Sequence, residues 1–443
     1  MFSIFLIFIY KLIIMSNKSD IVLEKNVYAQ SKIQPHIIKI NNLRCVLVNY
    51  PCSNVISTGF FVKIGSAYES IEERGISHFL EHMLFKKNKY CSKMTNKLDE
   101  LGISYNAATS RDYTYYECHG NVSQTKHLIF LLFMIFTRPI FIDKDVNKER
   151  LVIFEEMKGD KMSNKKQLFE STINQIYNQR NENYSLPIIG NLDTLNNINA
   201  KKLKKFFDTY YHYDNATFVV VGNIDVEVIT SYLKKLVNKY PRSGIRTKDL
   251  RFNDISSSPS MIIKPTINPS QTTMMINFFI KGLTELQKLQ LSLLHHILTG
   301  NFMSILFNEL RVKRGLCYGI DSDNMLVKSD NKYNGIFFIK VDADPTNIKE
   351  CLKLILQFIL SKKINRTTFL NSKKSLHNII SFSFQTSKDY MYFYGNMILN
   401  NENVIPSNII KIIKETTLKD INNLLTTIKN SNLYVNMIGK YIK

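Results

Sequence analysis

Apolar and polar positions alternate along the chain with two periods. Residues 37–48, I-I-K-I-N-N-L-R-C-V-L-V, are β-rich on both sides of Asn41-Asn42, a pair suited to a hairpin turn. Y-T-Y-Y-E-C-H-G at 113–120 and N-G-I-F-F-I-K-V-D-A at 334–343 read as further strands. H-L-I-F-L-L-F-M-I-F at 127–136 and C-L-K-L-I-L-Q-F-I-L at 351–360 carry the spacing of long amphipathic helices. Sheet and helix thus mix, with hairpin-style neighbours, which predicts an α+β fold.

The pattern is written twice. G-F-F-V-K-I-G at 59–65 resembles N-F-F-I-K-G at 277–282, so that Phe278 follows Phe60 by 218 residues. L-G-I-S-Y at 101–105 resembles R-G-L-C-Y at 314–318, with Tyr318 at 213 from Tyr105. A-T-F-V-V-V-G-N at 216–223 resembles N-L-Y-V-N-M-I-G-K at 432–440, with Gly439 at 217 from Gly222. Three matches in one order, at nearly one offset, imply two homologous halves. The polar, turn-rich stretch between them places a first domain at 27–242, a linker at 243–260 and a second domain at 261–443.

Length agrees: 443 residues exceed one ordinary core. A hydrophobic fraction of 44% argues against wholesale disorder. The formal charge of +21 raises nucleic acid or an anionic membrane as partners. Its basic residues are dispersed, with no basic-aromatic patch, so nucleic acid is not expected. Six cysteines, at 45, 52, 91, 118, 317 and 351, form no C-x-x-C pair and fit a reducing compartment. Residues 1–26 open with an apolar run too short to span a bilayer and interrupted by Lys11. Two readings of it stay open: a targeting or anchoring peptide, or an extension upstream of a start at Met15. Membrane contact is therefore undecided.

Residues 78–82, H-F-L-E-H, carry the chemistry. On a helix over 76–87, His78 and His82 share a face with Glu81. Two imidazoles at i, i+4 can chelate zinc, which needs a third protein ligand and an open position for water. Zinc brings the pKa of that water to about 7, and the neighbouring carboxylate can take its proton. Chance would produce this pattern in roughly one such chain in a hundred. E-R-L-V-I-F-E-E-M at 149–157 offers the third ligand: Glu149 and Glu156 lie two turns apart on one face, with Glu155 rotated away. Alone, that stretch is an ordinary charged helix face.

H-F-L-E-H-M-L-F-K, G-I-S-Y-N-A-A-T-S-R-D-Y-T-Y-Y and E-R-L-V-I-F-E-E-M together resemble the pitrilysin/insulinase family of zinc metallopeptidases. The resemblance is greatest to the mitochondrial processing peptidase beta subunit and its bacterial homologues, and runs from about residue 36 to the C-terminus. It implies two halves facing each other as a clam shell, and one Zn2+ per chain on His78, His82 and Glu156. It makes Glu81 the general base and Glu149 the supporting acid. Asn106 and Ala107 would bind substrate backbone on a strand edge. Arg311 and Tyr318, in L-R-V-K-R-G-L-C-Y, would face the substrate from the second half and stabilise the oxyanion. Glu170 aligns with an acid that receives a substrate arginine, but Lys166 replaces another. Ile305 also departs from the family pattern, standing where an arginine is usual, and Gly300 is the sole glycine of a loop that is glycine-rich in noncatalytic subunits.

In the second half, His296 echoes His78, but Thr299 and Gly300 stand where Glu81 and His82 would be, so no metal motif is expected there. The leading expectation is a zinc-dependent endopeptidase acting on peptides or unfolded targeting presequences. The alternative is a noncatalytic scaffold of the same fold, like the core subunits of the respiratory cytochrome complex. The resemblance further implies a homodimer, or a heterodimer with a related subunit. Its location would be a mitochondrion or a mitochondrion-derived organelle in a eukaryote, and the cytoplasm in a bacterium.

Overall fold

The computed structural model describes residues 33–85, 98–253, 259–265, 271–361, 363–402 and 405–440. The apolar N-terminal extension and Cys91 lie outside the described residues. The chain forms an α+β fold of two homologous halves, each a sheet packed with helices.

The first sheet holds β1 (Pro35–Ile40), β2 (Leu43–Asn49), β3 (Val55–Val62), β4 (Ser104–Thr109), β5 (Thr114–Asn121) and β6 (Ala216–Gly222), in the order β1-β2-β6-β3-β5-β4. The second holds β7 (Ser260–Lys264), β8 (Thr272–Leu283), β9 (Cys317–Ser329), β10 (Lys332–Ala343) and β11 (Asn432–Ile438), in the order β7-β11-β8-β10-β9. Without the β1 arm the two orders coincide. In each, one pair is parallel, β2 with β6 and β7 with β11, and the other neighbours are antiparallel. The hairpin expected at Asn41-Asn42 is present, with Ile40 opposite Leu43 and Asn41 at φ 50°.

The longer helices are α1 (Ile76–Phe85), α2 (Thr125–Thr137), α3 (Asp143–Met162), α4 (Asn164–Tyr177), α5 (Ala200–Tyr210) and α6 (Val226–Lys239). Those of the second half are α7 (Glu285–Thr299), α8 (Ile348–Ser361), α9 (Arg366–Ser383), α10 (Ser387–Leu399), α11 (Pro406–Glu415) and α12 (Leu418–Lys429). Each sheet buries one face under its own helices. Phe60 of β3 stacks on Phe136 of α2, ring centroids 4.2 Å apart, within a core that also takes Phe79 and Leu80 of α1 and Ile153 of α3. Each such side chain contributes about 1.5–3 kcal/mol by leaving water. These contacts lock α1 and α3, the two helices bearing candidate ligands, onto one frame.

The opposite faces are covered by exchange. Tyr390, Met391, Tyr394 and Ile398 of α10 pack on Val46, Val48, Phe61, Val219 and Val221 of the first sheet. In return, Leu168, Ile173 and Tyr177 of α4 pack with Met275, Phe279, Ile336 and Tyr434 of the second. The connection after α6 is held as well, with Leu250 buried in that second cluster and Arg246 Nη2 donating to Leu399 O at 2.6 Å. The halves therefore close on each other through apolar contact rather than hanging from a free linker.

Candidate metal centre and active site

The N-terminus of α1 is fixed before either histidine is reached. Buried Glu69 accepts hydrogen bonds from Gly75 N and Ser77 N, both at 2.8 Å. Two N–H groups at the helix start are thereby satisfied, and a carboxylate lies at the positive end of the helix dipole. Burial pushes the Glu69 carboxyl up to about 7, against the pull of these hydrogen bonds. Gly75 has φ +87°, and a Cβ there would lie 2.6 Å from Ile189 O, so glycine is required where the chain enters the helix.

One turn apart on α1, the His78 and His82 rings have centroids 4.6 Å from each other. Glu156 of α3 sets Oε2 at 3.6 Å from His78 Nε2 and 3.5 Å from His82 Nε2. The three ligand atoms lie within 4.8 Å of one another, and no other such group of three occurs among the described residues. A tetrahedral zinc ion with bonds of about 2.0–2.1 Å needs ligand–ligand edges of roughly 3.4 Å. The spacing and the donor set of two imidazoles and a carboxylate both fit. Three protein ligands leave one tetrahedral position for water or substrate.

Protonation suits the same role. His82 Nδ1 donates to Glu149 Oε1 at 2.7 Å, which keeps Nε2 as the lone-pair nitrogen facing Glu156. Burial, then the neighbouring His82, lowers His78 to about 4, so its imidazole is neutral near pH 7. The neighbouring imidazoles, His82 first and then His78, hold the Glu156 carboxyl below its usual range, against partial burial. Glu149 is buried on the same stripe of α3, two turns before Glu156, whereas Glu155 points to solvent and pairs with Lys158 at 2.6 Å.

Glu81 sits beside this trio and is tied to the sheet. Thr109 Oγ1 donates to Glu81 Oε2 at 2.7 Å. Burial raises the Glu81 carboxyl above the ordinary range, with the Thr109 hydrogen bond and His82 pulling it back. Thr109 ends β4, the edge strand of the first sheet. Asn106 and Ala107 lie on that strand, paired to Glu117 and Tyr116 of β5, and no described strand covers its other edge.

The remaining candidates lie on other elements. Glu170 of α4 already has an internal partner, Arg111 Nη2 at 2.8 Å. Arg111 is buried, its guanidinium also donating to Tyr184 O at 2.9 Å and lying over the Phe169 ring at 5.6 Å. Arg311 sits in a helical turn over 308–313, its guanidinium 5.2 Å from the Phe307 ring centroid. Tyr318 is 54% exposed on β9, the edge strand of the second sheet. No described hydrogen bond or ion pair links Arg311 or Tyr318 to His78, Glu81, His82 or Glu156.

Sequence reasoning missed three residues that shape the centre: Glu69, Thr109 and Arg111. Glu69 had a signal, an acid just upstream of a helix start. Thr109 and Arg111 had none, because their partners are 28 and 59 residues away.

Comparison with known proteins shows the family. Residues 44–190 match the sequence model of the insulinase family (peptidase family M16), and residues 197–368 match that of the peptidase M16 inactive domain. The chain belongs to this family of zinc peptidases. An uncharacterized zinc protease of Rickettsia felis is 26% identical over 397 residues, covering 88% of this chain and 94% of its own. One from Bacillus subtilis is 26% identical over 399 residues, covering 87% and 93%. Among solved structures, a Helicobacter pylori protease superposes with TM-score 0.78 at 19% identity, over 92% of this chain and 99% of that one. A peptidase M16 inactive domain from Pseudomonas fluorescens reaches TM-score 0.80 at 16% identity, over 92% and 98%. At that identity the likeness shows the shared fold.

Proposed function

We propose that this chain is a zinc-dependent endopeptidase that cleaves peptides or unfolded presequences. The observation that carries the proposal is the three-donor cluster of His78, His82 and Glu156, with Glu149 behind one imidazole and Glu81 beside the cluster. One zinc ion per chain would be held by those three donors and would supply a Lewis acid for a water and the scissile carbonyl. Glu81 takes a proton from the attacking water and later returns it to the leaving amine. Its raised proton affinity suits both transfers. Thr109 fixes the oxygen through which Glu81 is held, and Glu149 fixes the His82 tautomer. The free edge of β4 offers Asn106 and Ala107 to a peptide backbone by strand addition. Arg311 and Tyr318 are assigned, on family resemblance, to hold the substrate from a second-half surface. A pairing of two chains, alike or related, would bring such surfaces together.

Metal analysis and a peptide-cleavage assay test the proposal. Purified chain should carry one zinc and cleave unstructured peptides, and Glu81→Gln should keep the metal while turnover falls by about 10³-fold or more. Stoichiometric zinc without cleavage, alone or with a related subunit, would favour the scaffold. Equal activity in the variant would remove Glu81 as the base.

A further inference from the structure

The corner between α3 and α4 adjoins the candidate metal centre and carries a pattern of charge that the chemistry above does not use. Asp160 lies four residues after Glu156 on α3, hence on the ligand-bearing face. Lys166 and Glu170 lie four apart on α4, on one face of that helix. Both carboxylates at the corner are already taken by cations of this chain. Lys166 Nζ pairs with Asp160, and Arg111 Nη2 pairs with Glu170 at 2.8 Å. Arg111 is buried and anchored to the carbonyls of Tyr184 and Leu186, so it stays on Glu170. Lys166 differs, with its side chain 55% exposed. Lys161 and Lys165 precede it in sequence.

We propose that Lys166 is a specificity-determining residue, which selects peptides with an acidic side chain near the cleavage point and disfavours arginine there. The proposal rests on the peptide-binding reading above. A substrate guanidinium would find each carboxylate at this corner neutralised and an exposed ammonium in its way. A substrate carboxylate would meet an ammonium with three donors, enough to bind it while keeping Asp160. The subsite is thus built from the chain's own ion pairs, and its sign is set by the one cation that solvent reaches.

The test separates binding from cleavage. The full chain bearing Glu81→Gln, loaded with zinc, is titrated against fluorescent unstructured peptides. These are identical except for one Glu, Gln or Arg moved residue by residue. At one position, Glu should bind about five- to tenfold tighter than Arg, the scale of one screened unit-charge contact. Lys166→Glu in the same chain should reverse that order, and Lys166→Met should flatten it. Raising salt to about 0.5 M should shrink the preference. The proposal is overturned by arginine binding as tightly as glutamate at every position, by no difference among the three, or by an order unchanged in Lys166→Glu. Cleavage by the wild-type chain is scored separately. A charge preference without cleavage would remove the peptidase reading and leave this one standing.

Discussion

The two halves share a strand order and a helix-to-edge-strand contact, yet among the described residues only the first gathers three metal-ligating side chains. In the first half, Glu81 of α1 accepts from Thr109 of β4 at 2.7 Å. In the second, Thr299 of α7 shares a hydrogen bond of 2.7 Å with Ser322 of β9. Ser322 follows Thr109 by 213 residues and Thr299 follows Glu81 by 218, the offsets of the repeat itself. The strut that orients the candidate base is therefore a feature of the fold, and the first half has placed a carboxylate in it. The ligands differ more sharply. Gly300 stands where His82 would be, and a Cβ there would lie 2.2 Å from His296 Nδ1. Buried His296 fills the space that a second ligand would need, and its neighbour His295 is engaged with Ser322 at 2.7 Å. The second half thus repeats the strut and fills the matching space with His296.

Changes made in each half can break this comparison. The largest contrast is expected between Glu81→Gln, which should abolish nearly all turnover, and Thr299→Val, which should leave it within about twofold. Comparable losses in a peptide assay would mean that Thr299 itself takes part in the chemistry. Next come two glycines with positive φ. Gly75→Ala forces a Cβ against Ile189 O and should destabilise the chain by about 2–4 kcal/mol. Gly315→Ala meets no atom within 4 Å and should cost about 1 kcal/mol. Denaturant melts read both, and equal midpoints would show that the entry to α1 is not constrained as described. Smaller again, Glu149→Gln should weaken zinc binding about 10- to 100-fold, measured by chelator competition. Unchanged affinity would dissociate Glu149 from the metal centre. The finest contrast sets Thr109→Val against Ser322→Ala. The first should lower kcat about tenfold with KM steady, and Thr109→Ser should restore it. The second should cost roughly 1–2 kcal/mol of stability with turnover intact.

Much of the candidate centre was legible in the chain because its key spacings are local. His78, Glu81 and His82 lie within one helical turn, and Glu149 and Glu156 within two, so periodicity alone puts each set on a face. The repeat was legible for the same reason, since matched strands keep matched alternation. Other features depend on contacts that no period encodes. That α1 and α3 bring their faces within 3.6 Å follows from a core shared with β3 and α2. That α4 and α10 cross to each other's sheets could not be read from amphipathic helices, which show an apolar stripe but not what it covers. Glu170 shows the limit most plainly. Its alignment suggests an acid awaiting a substrate arginine, whereas the folded chain sets it on Arg111, 59 residues earlier in sequence. A residue's type and local spacing prescribe what it can do; its partners, and so the charge it leaves to a ligand, are set where distant segments meet and water is excluded.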